Sequence, residues 1–490
     1  MQAGSARHHV LVVGGGFAGL AAATVLAESG VRVTLAERDA ELGGRAATTI
    51  DRLRDGTTVE FGRGAFFIYR HYENTRALLS RVDPRLDMLV QAGDVAWLDD
   101  RHARSATSLS NLPTRAPARI VALARRLGGV GVMDLARARL GALSALQAFD
   151  AERTFATLDA ESAGDFLRSA RLPVGFTRAL YDHCAQAAWY PPSALSAAEL
   201  ACSIHFHFTS NRHGLEPMAA RQALGASVFR PLGRYLGELG AEVLTKSECE
   251  ELESSGLGFK ARVRARGVGR SVEADAVVLA VPLDVAARLS AGLRAPSGSR
   301  IEDPGAIEAT STVLRLWLDR RPNDARATLT RLGNHDPLRS ITLVDRFDID
   351  ARRFAHKVNG AVIELASYAA PPPGATPSLA RTTPPATRDA LVAALREVFP
   401  ELLGARILDE RLITRRDPVE VGPGLYRRRP AVKTAVPGLF VAGEGVRLAQ
   451  PSALAERAVT SGFEAATHLL EGWGARPSDI VRGPTNSRKG

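Results

Sequence analysis

The stretch VLVVGGGFAG, Val10–Gly19, decides how the chain is read. Val10–Val13 is a short continuous apolar run, the pattern of a buried parallel strand. The residues after it place Gly14, Gly16 and Gly19 in GxGxxG spacing, with Phe17 and Ala18 between the last two glycines. LAAATVLAESG then has helical character and stops at Gly30, a C-cap residue. A second strand, VRVTLAE, ends at Glu37. Gly14 permits a tight turn, Gly16 lets backbone approach a pyrophosphate, and Gly19 lets the helix pack on the strand. The helix N-terminus receives the negative charge, and Glu37 is placed to bond ribose hydroxyls. A lone GxGxxG says little. Strand, glycines, helix, strand and acid in that order specify a dinucleotide-binding βαβ unit.

The rest of the chain must accommodate that unit. Its 490 residues are too many for one simple core, so two intimately joined domains are expected. Hydrophobic content of 45% and charged content of 24% are ordinary for a soluble globular protein. The net charge is +10, yet only five of the 63 basic residues are lysine. An arginine bias of this kind reads first as genomic composition; the sharper alternative is attraction to an anionic membrane surface. No nucleic-acid-reading motif is present, and nucleic acid is not an expected partner. Cys184, Cys202 and Cys249 are odd in number and lack CxxC spacing, so neither a disulfide framework nor a metal site is expected. MQAGSARHHVLVVGGG has too short an apolar run for a signal peptide, and no run approaches the ~18 residues of a spanning helix. The expectation is a cytoplasmic protein, with peripheral membrane contact as the alternative.

After Glu37 comes Arg38, which opens RDAELGGRA. The pair Gly43–Gly44 followed by Arg45 resembles the extension found in flavoproteins of the amine oxidase and carotenoid desaturase superfamily. The resemblance implies that the pair continues FAD pyrophosphate binding with the arginine close to the cofactor, which favours FAD over NAD. ADAVVLAVP, Ala274–Pro282, reads as a buried strand with a proline stop and looks like the strand that returns to the dinucleotide domain in this superfamily. GAEVLTKSECEEL resembles the strand whose backbone holds the adenine, with Cys249 at the contact position; a small core residue is the competing reading. VPGLFVAGEGVRLAQPSALAERAVTSGFEAA resembles the closing motif. There a strand, Leu439–Ala442, leads into Gly443 and Glu444, where the acid in relatives faces ribityl and phosphate groups. A helix N-terminus around Ser452, Ala453 and Leu454 would point at the flavin pyrimidine ring and stabilise negative charge on reduced flavin.

These pieces imply an α/β fold: a Rossmann-type FAD-binding domain of the glutathione reductase-like kind with an inserted α+β substrate domain. Residues 1–64, 228–283 and 432–470 form the FAD domain, and residues 65–227 and 284–431 form the substrate domain. Helices are expected mainly from the first insertion and mixed sheet mainly from the second. RLWLD (Arg315–Asp319) and AVIELASYA (Ala361–Ala369) have strand character, and Arg388–Val398 is an amphipathic helix. Pro371–Pro385 reads as a loop, and residues 474–490 as a mobile tail. Pro113–Leu146 alternates arginines with apolar residues at helical spacing. It reads as a cap helix with a solvated arginine face; docking on a bilayer to take up a lipid substrate is the alternative.

The inner segments carry a narrower likeness. RGAFFIYRHYENTRALLSRVDP, FDAERTF, SAGDFL, SAAELACSIHFHFTSN, LRLWLDR and DERLITRRD resemble the isorenieratene synthase group, in the same order, from about Val10 to Leu470. That group comprises carotenoid ring desaturase/methyltransferases within the phytoene desaturase superfamily. The resemblance implies an FAD enzyme that removes hydrogens from a β-ionone ring, shifts a methyl group and leaves the ring aromatic. Such chemistry needs an apolar pocket, aromatic faces for a cation, and a base or two.

EFGRGAFFIYRHYEN, Glu60–Asn74, leaves the FAD domain and enters the substrate domain. Phe66 and Phe67 are the candidate pocket wall, with core packing as the alternative. Members of the group read GFHAFF where this chain has Gly62-Arg63-Gly64-Ala65-Phe66-Phe67. A charge at Arg63 suits a substrate more polar than a carotene, such as a carboxylate-bearing specialised metabolite. Tyr69, His71, Tyr72, His205 and His207 join Arg63 as catalytic candidates; His205 and His207, at period two, would share one face of a strand. Buried histidines bonded to backbone are the competing reading. None of Lys246, Lys260 and Lys357 lies in a segment like the lysine motif of amine oxidases, which counts against an amine substrate. An apolar or amphiphilic small molecule is therefore expected. Two other readings stand beside desaturation: a redox-neutral isomerase using reduced FAD, and a non-catalytic prenyl or lipid carrier of the Rab escort type. Gly43-Gly44-Arg45 and the closing helix argue against the carrier. No residue pattern specifies an oligomeric state.

Overall fold

In the computed structural model the described residues are 8–98, 107–108, 149–171, 192–209, 216–256, 258–265, 267–295, 297–305, 307–332, 337–369 and 384–475, with single positions between 111 and 181. Most of Pro113–Leu146, most of the Pro371–Pro385 loop, Cys184 and residues 476–490 of the tail lie outside them.

A five-stranded parallel sheet carries the glycine loop. Its order is Glu242–Leu244, Arg32–Ala36, His9–Val13, Ala276–Leu279 and Leu439–Val441. Val10, Leu11 and Val12 are fully buried at its centre, as a strand covered on both faces requires. Two of these strands are shorter than their sequence reading: VRVTLAE loses a residue at each end, and the last strand stops one residue early, at Val441. The helix Phe17–Glu28 is buried from Phe17 through Ala27. It can be apolar all round because a second helix, Leu454–Gly472, covers the side away from the sheet. The two approach so closely that a Cβ on Gly462 would lie 2.2 Å from the Ala18 carbonyl oxygen. The first helix ends where Gly30 takes a φ of +80°, with its N–H on the Ala27 carbonyl.

A three-stranded antiparallel sheet, Ser247–Ser255, Gly258–Ala265 and Val268–Ala274, follows directly from strand Glu242–Leu244. The larger, mixed sheet has seven strands in the order Ile407–Val419, Ile307–Leu318, Ala361–Ala369, Ser340–Leu343, Leu329–Leu332, Val95–Leu98 and Thr107–Ser108. Its last two strands come from the first insertion, and Val95–Leu98 pairs parallel with Leu329–Leu332. Alternation along these strands separates two faces. Leu314, Leu316, Ile341, Leu343, Ile363 and Leu365 pack under the helix Pro384–Val398, which starts four residues before the predicted Arg388. The other face turns toward the cavity described next.

Candidate active site

The cofactor end is built from the first glycines. Gly14 has φ +105°, and its N–H donates to the Ala36 carbonyl at 2.8 Å. Gly19 packs helix on strand and does not reach the cavity: a Cβ there would sit 1.9 Å from the Gly14 carbonyl oxygen. Gly16 lines the cavity instead, and a Cβ there would make only ordinary contact, nearest to Gly44 Cα at 3.9 Å. The Glu37 carboxylate accepts hydrogen bonds from Gly15 N–H at 2.6 Å and Asp39 N–H at 2.8 Å, which fixes it at the lip of the loop. The second glycine pair is laced onto the first through Gly43 N–H and the Gly15 carbonyl, 2.8 Å.

One cavity of about 780 Å³ runs from this loop to the mixed sheet. Gly14, Gly16, Phe17, Ala18, Glu37, Arg38, Gly43, Gly44, Arg45, Cys249, Gly443, Glu444 and Leu454 line it. Arg45 pairs with Glu444 at 2.8 Å, closing the N-terminal extension onto the C-terminal motif. Burial, followed by the Glu248 charge, pushes the Cys249 thiol up to about 11, so it meets a ligand as a neutral small group. Ser452 and Ala453 are a correction: neither lines the cavity. The Ser452 carbonyl is turned onto the Arg457 guanidinium, and the helix meets the cavity with Leu454, Ala455 and Ala458 instead. These residues fit FAD. Gly14, Gly16 and Gly443 line the cavity without side chains, the Glu37 carboxylate lines it beside the Gly15 N–H, and the helix Phe17–Glu28 starts at its edge, the donor set a dinucleotide needs.

The segment Glu60–Asn74 crosses this cavity, and Arg63, Phe66, Phe67 and Tyr69 line it with Tyr72. Phe66 stacks on Phe17 at 5.6 Å and Phe67 packs edge-on to Phe347 at 6.1 Å. The end of the segment is tied to the closing helix by a residue that sequence reasoning missed. The Glu456 carboxylate accepts from Asn74 N–H, Thr75 N–H and Thr75 Oγ1, each at 2.8 Å, and so caps the helix Glu73–Leu79.

The histidines fall elsewhere. His205 and His207 lie at a helix end, not on a strand: Ser196 caps the helix Ala197–Ile204, and a π-turn, His205–Thr209, continues it. Period two on a helix end sends the two rings apart. His205 stacks on Phe149 at 5.7 Å, whereas His207 is buried against Tyr69, His71, Tyr72 and Phe206. His71 Nε2 lies 3.2 Å from His207 Nδ1, and none of the three histidines lines the cavity. Burial, and then the Arg331 charge, holds the His207 ring down at about 3. The folded state therefore binds its proton later than the unfolded chain does as pH falls. His207 contributes stability that is intact above the ordinary histidine value and lost toward pH 3, by about 1.4 kcal/mol per pH unit. Urea unfolding at stepped pH should show this acid limb, and His207→Phe should flatten it.

Behind the turn between Glu444 and Leu454 lies a buried charge cluster that no motif announced. Glu199 accepts from Arg429 and from Arg457 Nη2 at 2.7 Å. The same guanidiniums hold the carbonyls of Gly445 at 2.8 Å, Val446 at 2.9 Å and Ser452 at 2.7 Å. Among the described residues no group of His, Cys, Asp or Glu is arranged to hold a metal ion, and no helix is long and apolar enough to cross a membrane.

Residues 17–470 match the family described as flavin containing amine oxidoreductase. Among characterised relatives, a carotenoid phi-ring synthase of Streptomyces griseus is 34% identical over 98% of this chain and 91% of that protein. Another of the same name from Chlorobaculum tepidum is 22% identical over 94% and 88%. Among solved structures, cyclohexylamine oxidase from Brevibacterium oxydans superposes with a TM-score of 0.62 at 15% identity, covering 96% of this chain and all of that one, a likeness of fold.

Proposed function

Because this chain belongs to the flavin containing amine oxidoreductase family, and is an FAD-dependent oxidoreductase, we propose that it desaturates the ring of a cyclic substrate of the carotenoid end-group type and leaves that ring aromatic. The observation that carries this reading is the continuity of one cavity from the glycine cradle to a wall that includes Phe66, Phe67, Tyr69 and Phe347. The likeness to carotenoid phi-ring synthases over nearly the whole chain supports the ring as the reacting group.

The residues that would hold FAD are the Gly14–Ala18 loop, Glu37, Gly43–Arg45, Glu444 and the Leu454 end of the closing helix. When bound there, FAD supplies an acceptor for a hydride. Aromatising a β-ring adds two double bonds, and each costs the ring one hydride and one proton; because one ring carbon carries two methyls, one of them must shift to the adjacent carbon before the last proton leaves. The aromatic faces of Phe66, Phe67 and Tyr69 favour positive charge developing on the ring and leave little room for water. A proton acceptor must border the cavity. Asp348 does, with a carboxyl that burial raises above the ordinary carboxylate range, and Tyr69 does; His71, His205 and His207 do not. None of Lys246, Lys260 and Lys357 borders it either, and Lys357 is paired with Asp55 at 2.9 Å.

Anaerobic mixing of the yellow holoprotein with a β-ring carotenoid in detergent micelles tests the reading. Bleaching of the flavin band is expected, with a product lighter by the hydrogens of the new ring double bonds. Bleaching by primary amines alone, with every cyclic terpenoid inert, would overturn it.

A further inference from the structure

The stretch of cavity wall supplied by the mixed sheet is polar, which a hydrocarbon substrate does not explain. Arg315, Glu364, Thr342 and Leu329 are register partners across four strands, and Arg331, Ser340 and Ala366 form the next row. All seven line the cavity. The same strands bury leucines and isoleucines on their other face, so they do not lack apolar residues; polarity has been placed on the face toward the ligand. Burying such groups against hydrocarbon costs free energy unless each finds a hydrogen-bond partner. Some are partnered within the protein. Arg315 Nη2 donates to Glu364 Oε2 at 2.8 Å, and Asp348 accepts from the Asp350 and Ala351 N–H groups. Others are not. Among the described residues the hydroxyls of Ser311 and Thr342, both on cavity-lining side chains, make no hydrogen bond.

The turn Gly62–Ala65 is docked on this same face, because Ala65 N–H donates to the second oxygen of Glu364. Arg63 lies two residues before that contact and lines the same cavity as the sheet face. Arg63 lines the cavity half-buried, and among the described residues it has no ion pair. A guanidinium in a cleft without a protein counter-ion, in a cavity that also presents unpaired hydroxyls, is suited to recognise an oxyanion. We propose that the substrate is amphiphilic: an apolar ring skeleton bearing a carboxylate, which pairs with Arg63 at the mixed-sheet wall while the ring lies against Phe66 and Phe67. This assignment rests on the ring-desaturase reading for the ring, but the carboxylate rests on the sheet face and Arg63 alone.

Binding to the FAD-loaded protein tests it, with three probes that share a β-ring and polyene: retinoic acid, retinol and the hydrocarbon β-carotene. Dissociation constants come from perturbation of the flavin spectrum and, independently, from quenching of tryptophan emission. Retinoic acid is expected to bind on the order of tenfold more tightly than retinol, and Arg63→Met to remove that preference, bringing the two affinities together. Arg63→Lys, which keeps the charge but loses the planar fork, should retain part of it. Equal affinities, a preference for β-carotene, no binding of retinoic acid, or an Arg63→Met variant with unaltered selectivity each overturns the proposal. The two readings fail separately. Flavin bleaching by β-carotene without carboxylate preference sinks only the carboxylate. Carboxylate preference with no bleaching by any β-ring compound sinks only the desaturation.

Discussion

Glu199→Ala is expected to lower the unfolding free energy by about 3–5 kcal/mol and to yield protein that loses its flavin on gel filtration. Glu199, Arg429 and Arg457 are 3%, 2% and 5% exposed, so neither guanidinium can turn to water when its partner is removed. Burial alone would raise the Glu199 carboxyl; the charges of Arg457 and Arg429 outweigh it and hold the group down at about 2. The cluster therefore keeps its charge, and its contribution, at every pH above the ordinary carboxylate range. Two positive charges left in a dry interior cost far more than the pair gained in forming, which is why truncating one partner is so damaging. The loss should reach the cofactor because those guanidiniums clamp carbonyls on both sides of the turn between Glu444 and Leu454. Glu199→Gln keeps the shape and one acceptor and should fall between the two. Urea titration with and without excess FAD, alongside the flavin-to-protein ratio, measures both effects. A variant of wild-type stability and colour would refute the clamp.

Gly14→Ala should be colourless. The residue combines a φ of +105°, costing roughly 1–3 kcal/mol for any side chain, with a Cβ position 2.3 Å from the Ala280 carbonyl oxygen. Ala280 cannot retreat without breaking its own N–H bond to the Val13 carbonyl, 2.8 Å, at the centre of the parallel sheet. Strand, turn and pyrophosphate site would shift together. Gly30→Ala is the control, because Gly30 also has positive φ but an added Cβ there meets nothing within 4 Å. It should cost about 1 kcal/mol and leave the protein yellow. Absorbance after dialysis and thermal melting separate the two variants.

The dinucleotide half was legible because each of its steps is a local pattern: an apolar run, glycines at fixed spacing, an acid after the second strand. The Gly43–Arg45 extension and the Glu444 motif were legible through family resemblance, and the structure brings Arg45 and Glu444 into contact. What failed was inference from period alone. His205-x-His207 fits a strand or a helix end equally in so short a window, and the Ser196 cap that settles it lies nine residues upstream of His205, outside that window. Ser452 was expected at the flavin because the helix start was read without its neighbour; Arg457 pulls the Ser452 carbonyl inward. Glu199 and Glu456 were invisible for a different reason. Their partners lie 258 and 382 residues away, and long-range charge pairing leaves no periodic trace. The polar face of the mixed sheet was likewise hidden, since polar alternation on a strand reads as solvent exposure until the sheet is folded over a cavity.

The contact between Glu456 and the Asn74 backbone spans 382 residues of sequence, and that has a consequence for biosynthesis. The glycine loop is made well before the helix Leu454–Gly472, and until that helix follows, the helix Glu73–Leu79 lacks its Glu456 cap and the helix Phe17–Glu28 lacks its cover. Stable flavin retention is therefore expected only once the helix Leu454–Gly472 has packed on Phe17–Glu28. For most of translation a strongly apolar N-terminal helix waits unpaired, so supply of free flavin and chaperone holding of the nascent chain should jointly set the yield of yellow protein.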